Sequence, residues 1–204
     1  MALFFTKKTG VVLHPVFLKV LEVSQGAALV KVDARLPVGL HTIFEGTPIA
    51  TTATAGVYKW MKSAVLSTAH VSGAANTRIR LIAPHPFKVG DFVGEEGIGA
   101  GSCTTITAVA ATYVVTVETK FDIDKHGILY QTAAANATAP FCRPYALLRH
   151  PLSVREADGT TKYNVYGTLV HRGAVGTSLY KHGYTTDVKN RLGDRIRFQD
   201  KNLV

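Results

Sequence analysis

The stretch Thr104-Thr105-Ile106-Thr107-Ala108-Val109, followed three residues later by Tyr113-Val114-Val115-Thr116-Val117, decides the fold class. Both halves are rich in β-branched residues, alternate in polarity and are too short for a helix of ordinary length, so they read as a hairpin. Just upstream, His85-Pro86-Phe87-Lys88-Val89-Gly90-Asp91-Phe92-Val93 places a tight turn at Gly90-Asp91 ahead of another strand. Working outward, strands are expected at 57–65, 79–82, 92–93, 128–132 and 163–169. Near the start, 16–21 and 28–32 flank Ser24-Gln25-Gly26 as a second hairpin. Short strands at this spacing predict a mainly β protein, a small antiparallel β-barrel or sandwich, and argue against an α/β sheet.

One short C-terminal helix is expected. Thr185 or Thr186 can cap it, Asp187 suits its first turn, Lys189 and Arg191 suit its last, and Gly193 suits a left-handed stop. Ile196-Arg197-Phe198 then reads as a closing strand. The predicted core of the β-domain draws on Val57, Trp60, Val65, Ile79, Leu81, Phe87, Phe92, Ile106, Val109, Val115, Val117 and Leu129.

The 204 residues are 47% apolar and only 18% charged, a composition suited to lasting contact with other protein. The formal net charge is +9, and its distribution is uneven. Residues 1–35 carry five basic and two acidic side chains, residues 36–142 seven of each, and residues 143–204 eleven and five. The excess lies entirely in the flanks, which divides the chain into an N-terminal arm with a β-hairpin over 1–45, a β-domain over 46–150 and a basic strand-helix-strand segment over 151–204. The start Met1-Ala2-Leu3-Phe4-Phe5 has its charge, Lys7 and Lys8, on the wrong side for a signal peptide, and no run is long enough to cross a bilayer. Synthesis in the cytoplasm and no membrane association are the expectations.

Candidate chemistry is sparse. The eight histidines never fall at i, i+2 or i, i+4, so surface or loop positions are expected for them and no metal site is predicted. Cys103 and Cys142 read as two buried thiols. The glycine-rich run 94–101 lacks a phosphate-loop Lys-Ser/Thr pair and reads as a β-connection. No nucleophile elbow occurs and no cofactor is called for, so the chain does not read as an enzyme. Nucleic-acid binding is the alternative class; it requires Lys59, Lys62, Arg78, Arg80 and Lys88 to gather beside exposed aromatics.

Taken in order, Leu36-Pro37-Val38-Gly39, Gly46-Thr47-Pro48-Ile49, the 85–93 turn, the 104–117 hairpin, Gly127-Ile128-Leu129-Tyr130 and Pro144-Tyr145-Ala146-Leu147-Leu148 resemble the head fibre and capsid decoration proteins of tailed bacteriophages. The resemblance covers about 36–198. It implies a structural virion protein, homotrimeric, bound through the major capsid protein to the outer capsid surface without catalysis or cofactor. Residues 1–35 have no counterpart in that pattern, and the chain lacks the heptads of an extended fibre shaft. The expected capsid-binding residues are Leu3, Phe4 and Phe5 as an apolar anchor, Lys7 and Lys8 beside them, and Arg191, Arg195 and Arg197 at the other flank, with Arg191 and Arg195 sharing a face if the helix persists past Gly193.

Overall fold

The structure is a computed structural model and describes residues 16–24, 27–32, 40–73, 76–95, 103–134, 143–156, 158–177, 180 and 182–199. Strands dominate, as the alternation requires: β1 Phe17–Val23, β2 Ala28–Lys31, β3 Thr42–Ile43, β4 Pro48–Thr51, β5 Val57–Trp60, β6 Ser63–Val65, β7 Thr77–Arg80, β8 Phe92–Glu95 and β9 Thr104–Ala110. They continue with β10 Tyr113–Thr116, β11 Ile128–Thr132, β12 Pro144–Leu148, β13 Leu152–Ser153, β14 Asn164–Gly167, β15 Leu169–Gly176 and β16 Ile196–Gln199. The one helix among the described residues is α1, Thr186–Leu192. Its Thr185 cap accepts from the Val188 amide, as expected. Gly193 is right-handed, with φ −56°, and the helix ends at Leu192 without the left-handed stop.

Three sheets organise these strands, the smallest being the antiparallel pair β13-β3. A six-stranded sheet, in the order β6-β11-β8-β9-β10-β7, is built from the continuous segment 63–132. An eight-stranded sheet runs β1-β15-β12-β4-β5-β2-β14, with β16 joining β15 off that path. It is assembled from the two flanks, 17–60 and 144–199. The charge and segment boundaries at 46 and 150 therefore do not coincide with the sheets, since β4, β5 and β12 pair with strands of both flanks. Residues 63–132 carry five basic and six acidic side chains, so the basic excess lies outside the segment that builds the six-stranded sheet.

The 104–117 hairpin forms, with Tyr113 opposite Ala110 and Val114 opposite Val109. The hairpin expected at 16–32 does not. Its first strand pairs with β15, and its second with β14 and, in parallel, with β5. Residues 57–65, read as one strand, split into β5 and β6, which belong to different sheets.

The core also divides. The six-stranded sheet buries Ile79, Leu81, Phe87, Ile106, Val114 and Leu129. Val115 and Val117 were expected inside, but register puts Val114 and Thr116 there, leaves Val115 half-buried and exposes Val117. Val57, Val65, Phe92 and Val109 are half-buried. At β12 and β15 the eight-stranded sheet is covered on both faces: Ala146, Leu148 and Leu169 pack with Trp60 on one, and Leu147 and Val170 pack with α1 residues Val188 and Leu192 on the other. Burial of both faces explains why Tyr145-Ala146-Leu147-Leu148 is a continuous apolar run.

Candidate binding surface

The junction of the two sheets contains the most deeply buried charges. Lys62, in the two-residue step between β5 and β6, reaches Asp91 at 2.8 Å, and the two side chains are 2% and 3% exposed. Gly90, with φ +87°, turns the chain so that Asp91 points inward. The carboxylate also accepts from the Lys88 amide at 3.0 Å and from Gln131 Nε2 at 3.1 Å. Such a pair has to be fully hydrogen-bonded, because each charge would otherwise be stranded away from water. Beside it lies a cavity of about 20 Å³, lined in part by Trp60, Met61, Tyr130, Gly183 and Thr185. Its size admits a single water and no organic ligand. This is a structural joint.

The second feature is a fork in the eight-stranded sheet. Along one side of β15, β12 pairs with Leu169 and Val170, and β16 begins at Gly173. His171 and Arg172 therefore lie between the two partners. Arg195, in the turn before β16, bridges the gap: its carbonyl accepts from the Gly173 amide at 3.1 Å and its Nη2 donates to the Tyr145 carbonyl at 3.0 Å. Its guanidinium lies 5.7 Å from the Tyr145 ring centre. Tyr145 in turn stacks on Tyr58 at 5.7 Å and meets His171 edge-on at 5.1 Å. The fork opens into a crevice of about 440 Å³ lined by Glu22, Ser24, Tyr145, His171, Arg172 and Arg195. Burial lowers the His171 pKa below its usual value, with Arg195 adding to the effect and Glu22 opposing it. A neutral imidazole beside two guanidiniums and one carboxylate makes the crevice weakly cationic and able to receive an anionic group.

The third feature is the edge formed by β14, β2 and β5. Their register aligns Tyr166, Leu29 and Val57 in one cross-strand row and Asn164, Lys31 and Lys59 in another on the same side. Tyr166 is 66% exposed, and Leu29 and Val57 are half-buried. Nearby in sequence, Tyr163 is 61% exposed. At the other edge of the sheet, β1 exposes Leu21.

Of the capsid-binding residues expected from the sequence, Leu3, Phe4, Phe5, Lys7 and Lys8 lie outside the described residues. Arg191 forms an exposed 2.7 Å pair with Asp187 one turn away. Arg197 is exposed on β16 opposite Ala174. Only Arg195 enters the crevice, and the shared Arg191–Arg195 face does not form because the helix ends first. The five cations of the nucleic-acid alternative are dispersed. Lys62 is withdrawn into the joint, Lys88 lies in the turn beside it with its amide on Asp91, and Lys59 is on the eight-stranded sheet, whereas Arg78 lies 4.4 Å over the Tyr113 ring and Arg80 is the register partner of Tyr113.

Of the histidines expected at surface or loop positions, His85 and His182 do lie in connections, but these two and His70 are buried. His70 contacts the Thr119 hydroxyl at 2.8 Å, His85 the Ala110 carbonyl at 2.7 Å, and His182 packs between Phe44 and Tyr180. The apolar neighbours Ala69 and Val71 of His70 and Pro84, Pro86 and Phe87 of His85 are a local signal of this, whereas His182, between Lys181 and Gly183, has none. Cys103 is half-buried and Cys142 lies outside the described residues. Among the described residues no group of three or more His, Cys, Asp or Glu is placed to hold a metal, and no helix is long and apolar enough to cross a membrane. No protein-family model, curated protein or solved structure matches the chain.

Proposed function

We propose that this chain is a structural virion protein that binds the outer surface of a tailed-phage capsid through the major capsid protein. It assembles as a homo-oligomer, with a trimer favoured, and acts without catalysis or cofactor. It is made in the host cytoplasm. In this reading residues 63–132 are the small barrel or sandwich that projects outward, and the basic eight-stranded sheet is the base. The observation that carries the reading is the row Tyr166, Leu29 and Val57 beside Lys31 and Lys59, an incompletely covered apolar stripe flanked by cations. The cations guide an acidic partner into register and the apolar residues hold it. Exposed ion pairs contribute roughly 0–1 kcal/mol, whereas a buried large apolar side chain contributes about 1.5–3.

The test is co-sedimentation with undecorated heads, using the wild-type chain, Tyr166→Asp and a chain lacking residues 1–8. Both variants are expected to remain folded and oligomeric in light scattering while losing occupancy on heads. Wild-type occupancy by both, or a monomer at micromolar concentration, overturns the reading. Of the alternative, a nucleic-acid-binding β-barrel, only a fragment is in place: Arg78 and Arg80 beside the half-buried Tyr113. That alternative demands salt-sensitive single-strand affinity that falls on Arg80→Ala.

A further inference from the structure

We propose that the fork between β12 and β16 is a binding site for a small organic carboxylate that also carries a hydroxyl or amino group. The inference is independent of the capsid reading and rests on the fork alone. Antiparallel and parallel partners meet β15 from the same side, and at His171 and Arg172 neither is present. The gap is walled rather than filled, and its volume of about 440 Å³ falls within the range of roughly 300–1,000 Å³ typical of small-molecule sites.

Arg195 is the fixed element. Its backbone is tied to Gly173, one guanidinium nitrogen is tied to Tyr145, and the Tyr145 ring lies against the guanidinium. A guanidinium has five N–H donors, so most remain for a ligand already facing an ordered group. Arg172 lines the same crevice and is exposed, and among the described residues no ion pair engages it. Two guanidiniums against one Glu22 carboxylate, with His171 neutral, leave a single positive charge in excess. That balance matches a carboxylate. A phosphate dianion would be overcharged and would face Glu22 unfavourably.

Glu22 also supplies the second half of the recognition. It is the register partner of Arg172 across β1 and β15 and accepts hydrogen bonds only, as an ionised carboxylate does. A ligand with a donor next to its carboxylate satisfies both walls at once. Val23 and the Tyr145 ring provide apolar surface for the carbon skeleton.

The experiment is calorimetric and NMR titration of the full chain with lactate, propionate and inorganic phosphate in parallel. Lactate and propionate differ by the hydroxyl, and phosphate tests a bare anion. Lactate is expected to bind most tightly and phosphate most weakly. Arg172→Gln, a change at an exposed position, is expected to weaken lactate binding about tenfold, the loss typical of a hydrogen bond to a charged group. Glu22→Gln is expected to reduce the advantage of lactate over propionate and to improve phosphate binding. Amide shifts on binding are expected at residues 22–24, 171–172 and 195. Phosphate binding as tight as lactate binding, shifts elsewhere, affinity unchanged in Arg172→Gln, or no binding of any probe at millimolar concentration overturns the proposal.

Discussion

The six-stranded and eight-stranded sheets solve the same problem in opposite ways. The first is made from one continuous segment, 63–132, and its β8, β9 and β10 are neighbours in sequence and in space. The second joins segments more than a hundred residues apart, as where β1 pairs with β15 and β2 with β14. They differ in charge as well: the segment 63–132 has five basic and six acidic residues, and the rest of the chain has eighteen and eight. Local pairing pins register with turns and is slow to be disturbed by distant changes, whereas non-local pairing depends on buried anchors that close long loops. The anchors are visible. Tyr184 donates to the Gly46 carbonyl at 3.0 Å and Tyr180 to the Thr47 hydroxyl at 3.4 Å, tying the C-terminal segment to the entry of β4. Gly46 has φ +83°, and a side chain there would collide with Tyr184 and Val16.

The sharpest way to break the comparison is at the joint. Asp91→Ala leaves Lys62 buried without its carboxylate and is expected to destabilise by about 3–5 kcal/mol. In hydrogen exchange, residues 63–132 should lose protection before β12 and β15 do. Simultaneous loss in both regions would show that the joint is not a boundary. The double change Lys62→Met with Asp91→Leu is expected to recover most of the stability, because it removes both charges together.

Opposite pH limits should distinguish the two sheets next. Burial raises the Tyr180 pKa to about 12, against hydrogen bonds with Thr47 and Ser63, and raises Tyr184 well above 10, helped by Tyr180 and Glu45. Because folding favours their protonated forms, that stability is intact below pH 10 and is lost as pH rises from there through the folded values. The affected anchors belong to the eight-stranded sheet. Burial lowers the pKa of His85, opposed by hydrogen bonds with Ala110 and Tyr113, and of His70, opposed by Asp122. Their stability is present above pH 6.5 and is lost as pH falls below it. His171 on β15 is lowered by burial as well, so the eight-stranded sheet shares the acid limit; the six-stranded sheet carries two such histidines against one and is expected to open first in acid. Backbone NMR followed through both limits checks the order, and Tyr184→Phe should remove much of the alkaline sensitivity.

Smaller effects refine the picture within the non-local sheet. Thr185→Ala removes the cap of α1, with an expected cost of about 1 kcal/mol, seen as fraying of 186–192 without change in residues 63–132. Asp187→Asn weakens the surface pair with Arg191, whose share of the cost should be about 0.3–0.5 kcal/mol, decreasing with salt, in chemical denaturation.

The mainly β class, the 104–117 hairpin, the turn at Gly90-Asp91, the capped helix after Thr185 and the strand that follows it are all legible in the chain. Each is set by residues within a few positions of one another, where alternation, β-branching and capping act directly. Only the tertiary structure decided that β1 and β2 part company, that 57–65 crosses between sheets, and that Val114 rather than Val115 faces the core. Strand partners and register depend on which distant surface each strand covers, and a slip of one residue exchanges the faces. The same reason applies to the fork. Of Glu22, Tyr145, Arg172 and Arg195 the sequence marks only Arg195, as a flank cation, and their joint chemistry arises because β12 and β16 leave one side of β15 without a partner between them. Lys62 stands as one charge between Trp60-Met61 and Ser63-Ala64-Val65, a local hint of burial, but its partner 29 residues away is supplied by the fold alone.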